Sequence, residues 1–364
     1  MESSSYSIAT FISPHGYGHA ARASAVMAAL HRLNPGIRFE IFTLVPQWFF
    51  QNSLQQPFGY HALMTDIGLA QVSAIEENLS ETVRQLDDFL PFEQDMLGAL
   101  ARQLESLNCR LVLCDIAPLG IAVAKEAGLP SVLVENFTWD WIYQGYFSQA
   151  PRLEPFAAYF GELFRAADYH IQTEPLCDPQ PGSLIVPPIS RSIRAPADEV
   201  RRRLEAPQHA PLVMVTMGGI QWQFDHLSAL EAHPDCYFLV PGAAETVTRR
   251  GHLIALPHQS EFFHPDLVNA SDAVIGKVGY STLAEVYQAG IPYGYVPRLQ
   301  FRESRVLVDY IRREMQGLPL SVADFEAEAW LSSLPGLLAL PRFQYQGQNG
   351  AAQAADFISQ IIPA

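Results

Sequence analysis

Lysine is almost missing from this 364-residue chain. Two lysines, Lys125 and Lys277, stand among 23 basic residues, and 38 acidic residues leave a formal charge of −15. A surface without dense lysine and arginine excludes a nucleic-acid groove or an anionic-membrane binder, because both depend on clustered positive charge. Cysteine is scarce too. Cys109, Cys114, Cys177 and Cys236 form no C-x-x-C pair, so they read as reduced thiols rather than a disulfide frame or a zinc site. No apolar run nears the roughly 18 residues that span a bilayer, and no stable membrane insertion is expected. The opening Met1-Glu-Ser-Ser-Ser-Tyr6 holds neither a basic nor an apolar segment before the first strand, so the expectation is a cytoplasmic protein without a signal peptide. An Asp-x-Asp pair, the usual holder of a metal–nucleotide complex, does not occur.

What is present is an apolar chain, 49% hydrophobic and 17% charged, too long for one ordinary core. Short β-rich runs alternate with helical patterns. Ser7–Ser13, Arg38–Val45, Arg110–Cys114 and Ser131–Glu135 read as strands, several apolar on both faces as a parallel sheet requires. Helices fall at 20–32, within 79–107 as one long segment, and at 120–127, where Gly128-Leu-Pro130 ends the pattern. Proline-rich segments at 179–182 and 186–194 read as a linker. The alternation then restarts with strands at 212–216, 237–240, 253–256, 273–275 and 293–296, a helix at 281–289 and a terminal helix at 351–362. This is a doubly wound α/β pattern made twice.

Two strand–turn–helix elements carry the chemistry. The first is Ser13-Pro-His-Gly-Tyr-Gly-His19, and the second is Ile275-Gly-Lys-Val-Gly-Tyr-Ser-Thr-Leu-Ala-Glu285. Each helix start offers unpaired backbone N–H groups to an anion. Gly16-x-Gly18-x-x-Ala21 matches a dinucleotide fingerprint in form. The second strand ends in Thr43 and Leu44 without the acidic residue such a cofactor needs, and His15 and His19 crowd the pyrophosphate approach, which argues against a dehydrogenase. A histidine on this turn sits at a strand's carboxyl end, where an imidazole with pKa near ~6.5 takes a proton from a hydroxyl; otherwise it only bonds the helix start. Asp115, ending its own strand, orients a histidine or caps a helix.

In the second element Ser281 is placed to cap the helix, with Thr282 on its first turn, and their N–H and hydroxyl groups suit a diphosphate. Glu285 is one turn further, placed for a ribose diol. Ser-Thr-x-x-Glu is equally a capping box. Gly218-Gly219 offers another flexible turn. In Asn136-Phe-Thr-Trp-Asp-Trp-Ile-Tyr143, Phe137 and Trp139 suit stacking on a sugar face, and Asn136 and Asp140 suit its hydroxyls; the alternative is that the aromatics are core. His258-x-x-Glu261-x-x-His264 spaces its histidines six apart, on different sides of a helix, with Pro265 interrupting, so no metal site is expected.

These blocks resemble the GT-B glycosyltransferases. More narrowly, they are similar to the glycosyltransferase-like N-terminal half of plant L-arabinokinases and its free-standing bacterial relatives. His15-Gly-Tyr-Gly-His-Ala-Ala-Arg22 resembles the H-G-x-G-H-A-x-R of that family, and residues 136–143 its N-F-x-W-D-x-I-Y. Gly276–Glu285, with Gly290-x-Pro292 and Phe301-Arg-Glu303, resembles its G-K-x-G-Y-G-T-x-x-E block, from which Ser281 departs by replacing a glycine. Nothing here corresponds to the kinase half, so sugar-1-kinase activity is not implied.

The resemblance implies two Rossmann-like domains around a cleft: 1–190 for the acceptor, 191–345 for a nucleotide-sugar donor, and 346–364 as a helix returning to the first. It implies phosphate contacts from Gly279, Ser281 and Thr282, ribose contacts from Glu285 and donor-sugar contacts from Glu303. Lys277, Tyr280, Gly218, Gly219 and Arg302 also fall to the donor. Gly16, Gly18, Asn136, Phe137, Trp139 and Asp140 fall to the acceptor. His19 matches the family's cleft histidine, with His15 as rival base. The implied activity is metal-independent and cofactor-free transfer of a sugar from a nucleotide diphosphate to a hydroxyl acceptor, with inversion. A binding module without turnover, or a nucleotide-sugar epimerase or hydrolase, fits the same residues, since fold does not fix chemistry.

Overall fold

The computed structural model describes residues 6–73, 76–217, 227–343 and 347–362; Gly218 and Gly219 lie outside the described residues. The chain divides into two compact units. One is Met1–Ser190 with Phe301–Glu303 and Gln348–Ala364, and the other is Arg191–Gln300 with Ser304–Gly347. Among the described residues, no helix is long and apolar enough to cross a membrane.

The first unit holds a seven-stranded sheet of β1 (Ser7–Ile12), β2 (Arg38–Thr43), β3 (Phe58–Ala62), β4 (Cys109–Asp115), β5 (Ser131–Glu135), β6 (Tyr169–Thr173) and β7 (Leu184–Val186), in the order β3-β2-β1-β4-β5-β6-β7. Every pairing is parallel. The inner strands are apolar on both faces because helices cover both sides. On one face Ile8, Ile12, Leu111 and Val132 share a core with Val26 and Leu30 of the helix Gly18–Leu33 and with Ala354, Ala355 and Ile358 of the helix Gly350–Ile361. Alanine on the facing sides of these two helices lets them approach closely. The strand order reverses between β1 and β4, so the carboxyl ends of these two strands form the switch point where doubly wound sheets bind ligands. Ser13–His19 leaves β1 there, and Asp115 ends β4 there.

The second unit repeats the plan with β8 (Leu212–Thr216), β9 (Tyr237–Pro241), β10 (Thr248–Arg250), β11 (Leu253–Leu256), β12 (Ala273–Lys277), β13 (Tyr293–Val296) and β14 (Gly317–Pro319), in the order β10-β11-β9-β8-β12-β13-β14. Only β10 runs antiparallel to its neighbour. Its switch point lies between β8 and β12, and β12 delivers the Lys277-Val-Gly279 turn to it.

Five strands escape the sequence pattern: β3, β6, β7, β10 and β14. All lie toward the sheet edges, where one side is partly open and the residues need not be apolar on both faces. β7 falls between the two proline-rich segments read as linker and shares Val186 with the second. The long helix expected within 79–107 is two helices, Leu79–Phe89 and Gln94–Ser106, because the intervening Leu90-Pro91 step removes a helical N–H.

The two glycines of the second turn motif have different work. A Cβ at Gly276 would lie 1.7 Å from the carbonyl oxygen of Thr216, inside the β8–β12 pairing, whereas one at Gly279 would meet nothing within 4 Å. Gly276→Ala is therefore expected to cost at least 2 kcal/mol, roughly the scale of overpacking a core, and Gly279→Ala no more than about 0.5 kcal/mol. Chemical denaturation of both variants checks this. Equal stability of the two would show that the strand pair yields without loss.

Candidate active site

Gly16 takes a left-handed conformation (φ 74°), which lets the chain leave β1 and enter the helix Gly18–Leu33 within a few residues. A Cβ there would meet nothing within 4 Å, so this backbone is open to approach. Gly18 is the first helical residue, and His19 follows on the first turn.

The His19 side chain is 9% exposed, and its Nδ1 lies 2.9 Å from Asp115 Oδ1. An ionised carboxylate only accepts, so Nδ1 carries the proton and donates, leaving Nε2 with a free lone pair. Asp115 leads into Ile116, fully buried and at φ 43°. A β-branched residue in that region is strained, and such strain concentrates where side-chain direction matters.

Arg22, one turn beyond His19 and 1% exposed, completes the cluster. Its Nε and NH2 donate to the two oxygens of Asp115 at 2.8 and 2.7 Å, and its NH1 donates to Asn136 Oδ1 at 2.6 Å. Asn136 Nδ2 in turn donates to Glu303 Oε1 at 2.7 Å, so both ends of its amide are engaged. Burial pushes the Asp115 carboxyl up. The Arg22 charge and the hydrogen bonds from His19 and Arg22 outweigh it, and the pKa falls below the ordinary carboxylate value. For His19, burial lowers the pKa most. The bond and charge of Asp115 oppose that, Arg22 adds to it, and the imidazole ends below its ordinary value.

A further carboxylate, Asp66, was not visible in the sequence. It is fully buried and accepts from Ser13 Oγ at 3.0 Å and from the Trp139 indole N–H at 3.1 Å. Its pKa rises from 3.8 to about 7; burial is the main cause, hydrogen bonds from Ser13 and Trp139 oppose it, and the charge of Asp115 adds to it. The loop that follows is pinned by a 2.7 Å bond from Tyr143 Oη to the Gly68 carbonyl. His15 stands edge-on to Trp139 at 5.1 Å, and a Cβ at Gly68 would come within 2.8 Å of its ring.

The aromatic block takes the second of its two readings, core packing. Trp139 is fully buried and Phe137 nearly so, packed in a chain of rings with His15, His19, Tyr143 and Phe301. Neither face of Trp139 is open for a sugar; the indole instead holds Asp66. Asp140 lies against the helix Glu154–Arg165, where a Cβ at Gly161 would come within 3.1 Å of its Oδ2. Arg302 stacks on Trp141 at 3.9 Å and donates to the Trp141 carbonyl at 2.7 Å, within the first unit.

In the second unit, the helix Tyr280–Ala289 starts one residue earlier than expected. Gly279 is its N-cap and no side chain caps it, so the Ser281 cap and the capping box are both absent. First-turn N–H groups have no intrahelical partner, which leaves those of Ser281 and Thr282 suited to an anion. Tyr280 is buried in the apolar core, and the Lys277 carbonyl accepts from Tyr293 Oη at 2.8 Å.

Glu285, 4% exposed, accepts from Arg191 Nε and NH2 at 3.0 and 2.8 Å through Oε1, and from His264 Nδ1 at 2.6 Å through Oε2. Burial raises its pKa, but the charges of Arg191 and His264 prevail and hold it at about 2. Glu261, the middle residue of the His258–His264 triplet, pairs instead with Arg203. Among the described residues, no group of three or more potential ligands is placed to hold a metal.

Asp66 makes a pH prediction. Its folded pKa lies above the unfolded one, so the folded state holds the extra proton between about pH 4 and 7, and stability falls as pH rises through that window. Denaturation of the parent protein at pH 5 and pH 8 should show this loss, and Asp66→Asn should flatten it. An equal slope in the variant would exclude Asp66 as its source.

No family model matches this chain. It is 26% identical over 358 residues to L-arabinokinase of Arabidopsis thaliana, a match covering 97% of this chain and 34% of that protein. The chain thus spans about a third of that relative. Among solved structures, it superposes on UGT89C1 of Arabidopsis thaliana, solved with UDP, with TM-score 0.61 and 14% identity over 98% of this chain and 99% of the other. The spinosyn forosaminyltransferase SpnP gives TM-score 0.59 and 17% identity, covering 99% and 95%. MurG of Acinetobacter baumannii gives 0.53 and 14%, covering 98% and 100%. Two parallel-dominated seven-stranded sheets, each with its switch point, together with these neighbours, establish that the chain has the GT-B fold of glycosyltransferases.

Proposed function

We propose that this protein is a cytoplasmic glycosyltransferase that moves a sugar from a nucleotide diphosphate to a hydroxyl acceptor, with inversion and without a metal. The observation that carries this reading is the buried His19–Asp115 pair at the switch point of the first unit, with Nε2 of His19 left as a proton acceptor. A base so placed takes the acceptor's proton as its oxygen attacks the anomeric carbon and the nucleotide diphosphate leaves. His19 rather than His15 is assigned this role, because Asp115 orients its ring through Nδ1.

The donor belongs to the second unit. The uncapped start of the helix Tyr280–Ala289 supports a diphosphate site, where backbone donors and the helix dipole stabilise leaving-group charge. Gly279 leaves room for that approach, and Ser281 and Thr282 add hydroxyls. Glu285 meets the ribose through lone pairs not taken by Arg191 and His264, which fix the carboxylate in place. Among the structural neighbours, UGT89C1 was solved with UDP and VinC with dTDP, which supports a nucleotide ligand here.

A thermal-shift screen of UDP-, GDP-, ADP-, CMP- and dTDP-sugars should identify the donor, because a ligand at 100 times its Kd stabilises by about 2.7 kcal/mol. With that donor, Glu285→Gln should weaken nucleotide binding at least about tenfold through loss of a charge-assisted bond, with denaturation reporting separately the loss of the Arg191 counter-ion. His19→Ala should keep nucleotide affinity and slow single-turnover transfer about 100-fold or more, with transfer unaffected by EDTA. Slowing in His15→Ala alone would reassign the base. Binding without turnover would favour the binding-module reading, and conversion of the donor without an acceptor an epimerase or hydrolase.

A further inference from the structure

We propose that Arg22 is the positioning residue of the His19–Asp115 pair: its two-pronged grip on Asp115 sets which nitrogen of His19 is bare and keeps the ring neutral. The inference rests on His19 being the base and concerns how the fold makes it one. A carboxylate alone beside a buried imidazole favours the imidazolium, which has no lone pair to accept a proton. Here Asp115 is already neutralised. Arg22 contacts both its oxygens, and Oδ1 is shared between the Arg22 NH2 and the His19 Nδ1.

The fork has a second effect. Asp115 bound at one point can rotate and offer either oxygen in varied directions, whereas bidentate contact fixes its plane. The fixed Oδ1 then takes only an Nδ1–H donor from His19. The guanidinium is itself held, since its NH1 donates to Asn136 Oδ1, and the amide's other end is taken by Glu303. Arg22 NH2 lies 3.3 Å from His19 Nδ1; with Nδ1 protonated both are donors, and they meet by sharing Asp115 Oδ1 rather than by bonding each other.

The charged and titratable groups around His19 come from every element packed on it. Asp115 faces it from β4, Arg22 from its own helix, and His15 stands on the preceding turn. Asp66, bonded to Ser13 and Trp139, feels the charge of Asp115, and Glu303 accepts from the Asn136 amide. Of these, Arg22 alone is a permanent cation in contact with both members of the pair.

Nitrogen-detected NMR of the 15N-histidine-labelled full chain tests this, with the His19 signal assigned by its absence in His19→Gln. The parent protein should show only the Nδ1–H tautomer at pH 7. Arg22→Met, which removes the charge, should raise the His19 pKa by at least one unit, about the effect of one nearby charge. Arg22→Lys keeps the charge and loses the fork, and should show mixed tautomers in a folded protein.

An imidazolium or an Nε2–H tautomer in the parent at pH 7 would overturn the proposal. So would a parent-like spectrum and titration in Arg22→Lys, or loss of the fold in Arg22→Lys, which would make Arg22 a structural strut. The readout needs no substrate. Failure to find any sugar transfer would therefore defeat the proposed function and leave this inference standing, and the reverse holds equally.

Discussion

A guanidinium buried almost completely inside the first unit must be neutralised and fully hydrogen-bonded, and that demand organises everything around it. Removing one partner of such a pair typically costs about 3–5 kcal/mol, because the other charge is left without water. Arg22 meets the demand with Asp115 and Asn136, from the ends of β4 and β5, while its own helix starts where β1 ends. Three neighbouring strands are thereby joined at their carboxyl ends by one side chain. His19, a single turn earlier on that helix, inherits its position from the same constraint.

The second unit solves a related problem with the charges reversed. There the buried group is a carboxylate, Glu285, and the cation arrives from Arg191 with His264 on the other oxygen. The helix carrying Glu285 begins without a side-chain cap, at a glycine with open space beside it. In the first unit the anion is internal and the imidazole is buried beside it. In the second the acid is held inward and the backbone N–H groups face outward.

Much of this was legible in the chain. Strands buried on both faces announce themselves as unbroken apolar runs, so β1, β2, β4, β5, β8 and β12 could be read directly. Glycine-bearing turns after β1 and β12 marked both switch points. Edge strands such as Phe58–Ala62 and Leu184–Val186 could not be read, since their residues need satisfy only one packed face. The Ser281 capping box failed for a different reason: Glu285 found stronger partners far away in sequence. Asp66 and Arg191 carry no local signal at all, because what makes them matter is a partner from another element. Trp139 shows an ambiguity of another kind, where a dense aromatic block suits a sugar platform or a core and in this structure is packed as core.

The two aspartates of the first unit show how one site separates acid from base with identical side chains. Both are buried, and burial favours the neutral form of each. Asp115 escapes because a permanent cation and a histidine N–H face it. Asp66 has only neutral donors, a hydroxyl and an indole, and the negative charge of Asp115 adds to its cost of ionising. The ionised Asp115 thus adds to burial in raising the Asp66 carboxyl to about 7. With environment deciding the protonation states in this way, the imidazole can stay neutral next to a carboxylate, which is the condition for it to accept a proton.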